Sequence, residues 1–199
     1  MTTVTQNIAL FPLSTVLYPD GPLPLRVFEP RYLDMVSRCM KQNVPFGVLM
    51  LLSGSEMGDA MTATIGTSAR IIDWYQGSDG ILGITAVGEQ RFRLNSIDRQ
   101  PDGLYIGEVE FMEAEPAQSI PEEYKSMSAL LEVVVSDLGK LYEGLELNYD
   151  DASWVGRRFA EVLPLSLEQK QHCLEMNDAL ERLKYLRPLL SSIRHETRQ

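Results

Sequence analysis

The side chains able to do covalent or metal chemistry are few and scattered. His172 and His195 are the only histidines, and Cys39 and Cys173 the only cysteines. A zinc site built from His172, Cys173 and Cys39 would draw on distant stretches, and adjacent helical residues such as His172 and Cys173 face different ways. The two cysteines form no C-x-x-C and sit in helical patterns, so they read as reduced, buried thiols. No spacing supplies the carboxylate that a Ser-His-Asp or Cys-His relay needs to hold its histidine. Asp150-Asp151 has the composition of a metal pair, yet it precedes a helical pattern, where carboxylates meet the positive end of the dipole. Gly139-Lys140 lacks the upstream glycine of a phosphate loop, and there is no G-x-S-x-G or G-x-G-x-x-G. The expectation is a chain without catalytic residues, metal or cofactor: not an enzyme.

Binding chemistry has more to work with. Glu29 and Arg31 flank Pro30 and read either as a structural ion pair or as contacts to a ligand. Trp74-Tyr75 stands just before a glycine-rich turn, so these rings are either core or an exposed grip for an apolar ligand. Arg157-Arg158 reads as a solvated helix face. The candidate binding residues are therefore Phe28, Glu29, Arg31, Tyr32, Trp74 and Tyr75.

The elements that must position them start at a proline corner, Phe11 to Tyr32. Ile8 to Phe11 is a short apolar strand that Pro12 is expected to stop. Tyr18-Pro19-Asp20-Gly21-Pro22 reverses the chain, since Pro presets φ and Gly tolerates positive φ. Leu23, Leu25 and Val27 alternate with Pro24, Arg26 and Phe28, the period of a half-buried strand, and its two prolines suit a sheet edge. Pro30 fits the first position of a helix that buries Leu33, Val36 and Met40 and closes at Asn43. Phe46 to Leu52 reads as a strand buried on both faces, and Ser53 to Ala60 as a polar loop. Thr62 to Tyr75, with a break at Gly66, reads as a bent strand, joined through Gly77 to Gly80 to a strand over Ile81 to Val87. Gly88-Glu89-Gln90 interrupts, another strand runs from Arg91 to Ile97, Pro101 to Gly103 turns, and Tyr105 to Phe111 follows.

Glu113 to Pro121 carries two prolines and no period, so it reads as a linker. Beyond it the pattern is helical. Tyr124, Met127, Leu131, Val134, Leu138 and Leu141 form one seam on a long helix ended by Gly144. Asp151 to Leu163 is a second helix, with an Asp or Ser cap. Ser166 and Gln169 form a capping box for a third, through Met176. Asn177 caps a fourth, with Leu180, Leu183 and Leu186 buried and a kink or stop at Pro188. The tail after Ile193 is polar.

The 199 residues are 44% hydrophobic with net charge −10. Residues 1–113 hold 8 basic and 13 acidic side chains, and residues 114–199 hold 10 and 15, so each part carries −5. An evenly acidic surface repels phosphate backbones, which disfavours nucleic-acid partners. No signal-like start and no apolar run of membrane length appears, so the expected setting is cytoplasmic, without a membrane partner.

FPL, followed by PLPLRVFEPRY, resembles the opening of the N-terminal substrate-recognition domain of Lon proteases. Gly88-Glu89-Gln90-Arg91-Phe92-Arg93 resembles a later stretch of it. So does Leu163-Pro164-Leu165-Ser166 with Glu168 to Gln171 and Glu181-Arg182-Leu183. The resemblance runs from about Ile8 to about Leu190. It implies an α+β fold: a PUA-like, mainly β barrel or sandwich with one helix at 1–115, then a helical bundle at 116–199. It implies recognition of unfolded or tagged protein segments or of a partner protein, without catalysis. Neither the ATPase nor the protease domain of those enzymes is present, so the likeness is to a stand-alone Lon N-terminal-domain protein. The alternatives are a small-molecule binder or enzyme with a pocket between the two domains and, further off, RNA binding, since PUA-like folds elsewhere bind RNA.

Overall fold

The computed structural model describes residues 5–53 and 61–196. The chain divides into two compact units, residues 1–114 and 115–199. Sheet dominates the first and helices make up the second.

The first unit holds β1 (Thr5–Leu13), β2 (Pro22–Val27), α1 (Pro30–Gln42), β3 (Phe46–Ser53), β4 (Met61–Thr62), β5 (Ile65–Gln76), β6 (Leu82–Arg99) and β7 (Tyr105–Phe111). The strands follow the order β1-β7-β6-β5-β3-β4, with β2 on β6. β1 also pairs with β3, in parallel, from Leu10 against Gly47 to Leu13 against Met50. The path β1-β7-β6-β5-β3 therefore returns to its start. β1 runs through Pro12 rather than stopping there. Its ladder with β7 ends at Leu10, so the missing N–H of Pro12 forfeits no bond on that side.

β2 has β6 as its only strand neighbour among the described residues, and its leucines alternate inward as expected. α1 begins with Pro30 at its first turn and ends on Asn43 at φ 52, the left-handed cap. Its buried stripe is Tyr32, Met35, Val36 and Cys39. Leu33 is only half-buried and Met40 is exposed, because the face is rotated one residue from the expected one. β3 is buried on both faces over Phe46 to Met50. The loop expected from Ser53 to Ala60 lies, beyond Ser53, outside the described residues.

Gly66 does not break β5. A Cβ there would lie 2.3 Å from the Val48 carbonyl oxygen, so glycine admits a close strand approach. The bend comes from two register shifts against β6, between Thr67 and Ala69 and between Ile71 and Asp73. Gly88-Glu89-Gln90 does not end a strand, since β6 is one strand of 18 residues, but the ladder with β5 slips there: Gly88 to Arg91 spans only Ala69 to Thr67. The length of β6 lets it serve β2 and β5 with its first half and β7 with its second.

The second unit holds α2 (Lys125–Leu138), α3 (Ala152–Val162), α4 (Leu167–Glu175) and α5 (Ala179–Glu196). α2 ends at Gly139, φ 47, and not at Gly144. Met127, Leu131 and Val135 are buried, Val134 is half-buried and Leu138 is exposed, so the seam holds for three turns and then leaves the core. The capping box of Ser166 and Gln169 is complete. Asp178, rather than Asn177, caps α5 by accepting from Leu180 and Glu181 N–H at 2.8 and 3.0 Å. Helix α5 continues through Pro188 to Glu196, and Leu183 and Leu186 are fully buried as expected. Glu115, expected in a linker, is instead tied into this unit by Arg182.

Asp151 caps α3. Its carboxylate accepts from the N–H groups of Ser153 (3.3 Å), Trp154 (3.2 Å) and Gln118 (2.9 Å). Asp151→Ala should lower stability by about 1–2 kcal/mol. Asp150→Ala, at an exposed position, should stay within about 0.5 kcal/mol. Thermal unfolding of the pair separates a cap from a metal pair, because equal losses would contradict the capping role.

Candidate functional site

The groups with chemical potential are mostly spent on structure. Both thiols are free and buried. Burial pushes Cys39 up and pushes Cys173 up to about 11, which favours the unreactive thiol. His172 is exposed and meets the Tyr185 ring edge-on at 5.2 Å. Among the described residues no group of three or more His, Cys, Asp or Glu is placed to hold a metal. Arg157-Arg158 is not a solvated face: Arg158 is fully buried, bonds Glu161 at 3.1 Å and lies over the Trp154 ring at 5.8 Å. The helical period alone cannot distinguish a solvated arginine from one whose partner stands one turn on.

The proline corner is built from backbone bonds. Gly21 N–H donates to the Tyr18 carbonyl at 3.1 Å, Asp20 N–H to the Gly88 carbonyl at 2.8 Å, and Gly88 N–H to the Gly21 carbonyl at 2.9 Å. Thr67 Oγ1 donates to the Leu17 carbonyl at 2.6 Å. Asp20 takes φ 62, a conformation that aspartate tolerates. The corner thus sits directly on β6 at Gly88, which links two of the sequence stretches that stood out.

Glu29 and Arg31 pair with each other, Nη2 to Oε2 at 2.8 Å. Arg31 also donates to the Gly103 carbonyl at 2.8 Å and lies over the Tyr32 ring at 4.6 Å. At 6% exposure it is a joint between α1 and the turn after β6. Tyr32 is 2% exposed and stacks on Phe11 at 3.9 Å, so its ring belongs to the core. Phe28 is different: it is 67% exposed.

Trp74 and Tyr75 are 58% and 53% exposed, so both rings project from the fold. They do not form one patch. Trp74 is in register with Ile84 and Leu25, and Tyr75 with Gly83 and Arg26, so strand alternation sends them to opposite faces. The Tyr75 ring lies flat over Gly83, whose added Cβ would come within 2.2 Å of it. Beside it Arg26 pairs with Asp79 across a shallow pocket of about 150 Å³. Beyond Ala69, β5 has β6 as its only strand neighbour among the described residues. Its outer edge is partly capped by its own side chain, since Asp73 accepts from Trp74 N–H at 2.8 Å. Ile72, 51% exposed, was missed by the sequence reading. It sits in the bulge, and a bulge shifts the inside-outside count that alternation relies on.

The comparisons with known proteins agree on one family. The model of the ATP-dependent protease La (LON) substrate-binding domain matches residues 7–192. Lon protease of Escherichia coli K12 is 27% identical over 94% of this chain, covering 25% of its own length. Zebrafish protein cereblon is 32% identical over 59% of the chain and 27% of its own length. The chain thus spans about a quarter of the curated relatives it matches. The crystal structure of a Lon N-terminal domain protein from Xanthomonas campestris superposes with TM-score 0.76 at 35% identity, covering 91% of this chain and 96% of that one. The N-terminal domain of Mycobacterium avium complex Lon protease shares the fold, at TM-score 0.58 and 19% identity. With the family model matching almost end to end, this chain belongs to the LON substrate-binding domain family.

Proposed function

We propose that this chain is a non-catalytic module that binds unfolded or tagged protein segments, or a partner protein, through its sheet unit. The family match over residues 7–192 carries the reading. The returning strand path supports a PUA-like barrel for the sheet unit, with the helical unit as a bundle. The buried thiols and the structural use of Asp151 and Arg158 support the absence of catalysis. The candidate contacts are the exposed rings of Phe28, Trp74 and Tyr75, with Trp74 and Tyr75 serving opposite faces of β5 rather than one patch. Large exposed rings supply apolar area for an unfolded segment at little rotamer cost. Glu29 and Arg31 set the conformation beneath Phe28, and Tyr32 stays in the core. Among the described residues no helix is long and apolar enough to cross a membrane.

Trp74→Ala and Phe28→Ala should each weaken binding to a permanently unfolded, carboxymethylated protein by about 2 kcal/mol, roughly thirtyfold. Their thermal unfolding should change little, because both rings stand outside the core. Fluorescence anisotropy measures the first and calorimetry the second. Unchanged affinity in both variants would remove these rings from the site.

A further inference from the structure

The helical unit carries a second surface, formed where α2 ends. Gly139 turns the chain out of the helix, and a short 3-10 turn over Gly139–Tyr142 drives Tyr142 into the core, 4% exposed. The Tyr142 hydroxyl donates to Glu161. The chain returns at Tyr149, whose ring meets Trp154 edge-on at 5.1 Å and whose carbonyl accepts from Ser128 Oγ at 2.6 Å. Residues 143–148 are thus held at both ends while standing off α2. They leave a groove of about 430 Å³ with Val135, Tyr142, Leu147 and Tyr149 as its apolar lining and Glu132 and Glu143 as its charged lining. That volume lies in the range of ligand pockets. Leu147 is 42% exposed, an open aliphatic contact on a fixed wall.

The charge around the groove is one-sided. No basic side chain lines it. Residues 132–151 hold six carboxylates, Glu132, Asp137, Glu143, Glu146, Asp150 and Asp151, and one cation, Lys140; from outside this stretch Lys125 acts on Asp150 and the buried Arg158 on Tyr142. Asp151 alone of the six is committed to a cap. Burial raises the Tyr149 hydroxyl above the ordinary tyrosine range, and the neighbouring Glu132 charge adds to it. An apolar floor with an acidic rim selects an apolar side chain carried between cations, since rim charge steers the encounter and rejects acidic segments.

We propose that this groove docks a protein segment carrying an aliphatic or aromatic side chain flanked by lysine or arginine. The site belongs to the helical unit alone and does not depend on the exposed rings of the sheet unit.

The test uses the full chain and a short fluorescent peptide alternating Lys with Leu and Phe, beside the same peptide with Glu for Lys. Anisotropy should show the lysine peptide binding at least about tenfold tighter, with affinity falling as salt rises. Glu132→Lys with Glu143→Lys should cost about tenfold or more, and Leu147→Ser a similar factor, all at exposed positions that leave folding intact. The charge-matched control, Asp98→Lys with Glu113→Lys, and Trp74→Ala should leave the lysine peptide's affinity unchanged. No saturable binding, equal affinity for both peptides, equal loss in the control, or indifference to Leu147→Ser would each overturn the groove assignment. Loss in Trp74→Ala alone would overturn it too, while supporting the sheet surface.

Discussion

Arg182→Ala should destabilise the protein by about 3–5 kcal/mol, because it leaves a buried carboxylate without its cation. Arg182 is 1% exposed and the Glu115 side chain 3%. The guanidinium grips both oxygens of Glu115, one at 2.9 Å, and fills two further roles at the end of α4. Its Nε donates to the Cys173 carbonyl at 2.8 Å and Nη2 to the Met176 carbonyl at 2.6 Å. Carbonyls at a helix end have no intrahelical donor, so one planar fork satisfies the carboxylate and the end of the helix together. Arg157, 4.0 Å from Glu115, is too distant to replace it. Arg182→Lys keeps the charge without the fork and should fall between. Arg187→Ala, which removes an exposed pair with Glu123 at 3.2 Å, should cost less than about 1 kcal/mol.

The deficit should depend on pH. Burial pushes the Glu115 carboxyl up, but the hydrogen bonds and charge of Arg182, followed by the Ser153 hydrogen bond and the Arg157 charge, together hold it below the ordinary range. A depressed carboxyl contributes stability above its unfolded value and loses it as pH falls through its folded value. In Arg182→Ala burial wins, the carboxyl rises, and its contribution is lost as pH increases instead. The two proteins should therefore converge in acid, below the ordinary carboxylate range. Glu161, which burial raises, has this second sign in both proteins and cancels in the difference. Urea unfolding from neutral to acid pH measures it. A deficit under about 1 kcal/mol, or one flat with pH, would show that this pair does not hold the helical unit together.

Gly88→Ala should cost about 3 kcal/mol or more. An added Cβ would sit 2.1 Å from the Tyr18 carbonyl oxygen and 2.9 Å from its carbon, both backbone atoms of a fully buried residue. Relief requires the proline corner to lift from β6. That strains the bonds from Asp20 N–H to Gly88 and from Gly88 N–H to Gly21, each worth about 1 kcal/mol, on top of about 1–3 kcal/mol of overpacking. Gly80→Ala is the comparison. It meets nothing within 4 Å and bears only the strain of φ 81, about 1–2 kcal/mol. Equal losses would refute the close approach at Gly88. Because Phe28 and the Glu29–Arg31 pair follow from this corner, Gly88→Ala should also weaken binding to unfolded protein.

Local rules read many elements directly from the sequence. Pro30 and Asn43 bounded α1, Asp151 and the Ser166–Gln169 box marked the starts of α3 and α4, and the turns at Gly77 to Gly80 and Pro101 to Gly103 fell where the residues demanded them. Each depends on φ preferences or on bonds reaching three or four residues, which a sequence window contains. The alternation of β2 and the two-sided burial of β3 were legible for the same reason.

What escaped the sequence depends on partners far along the chain. Gly88 looked like an interruption because the Tyr18 carbonyl that requires it lies 70 residues earlier. Arg158 looked solvated and Glu115 looked like part of a linker, because only a partner brought close in space makes burial of a charge tolerable. The candidate site divided the same way. That Trp74 and Tyr75 are large rings at a strand end is a property of the sequence. Their separation onto opposite faces is plain strand alternation, whereas their exposure goes with β3 ending its pairing at Ala69. Residue types and short-range geometry settle how a segment folds, whereas which face meets solvent is settled by the strands and helices that arrive from elsewhere.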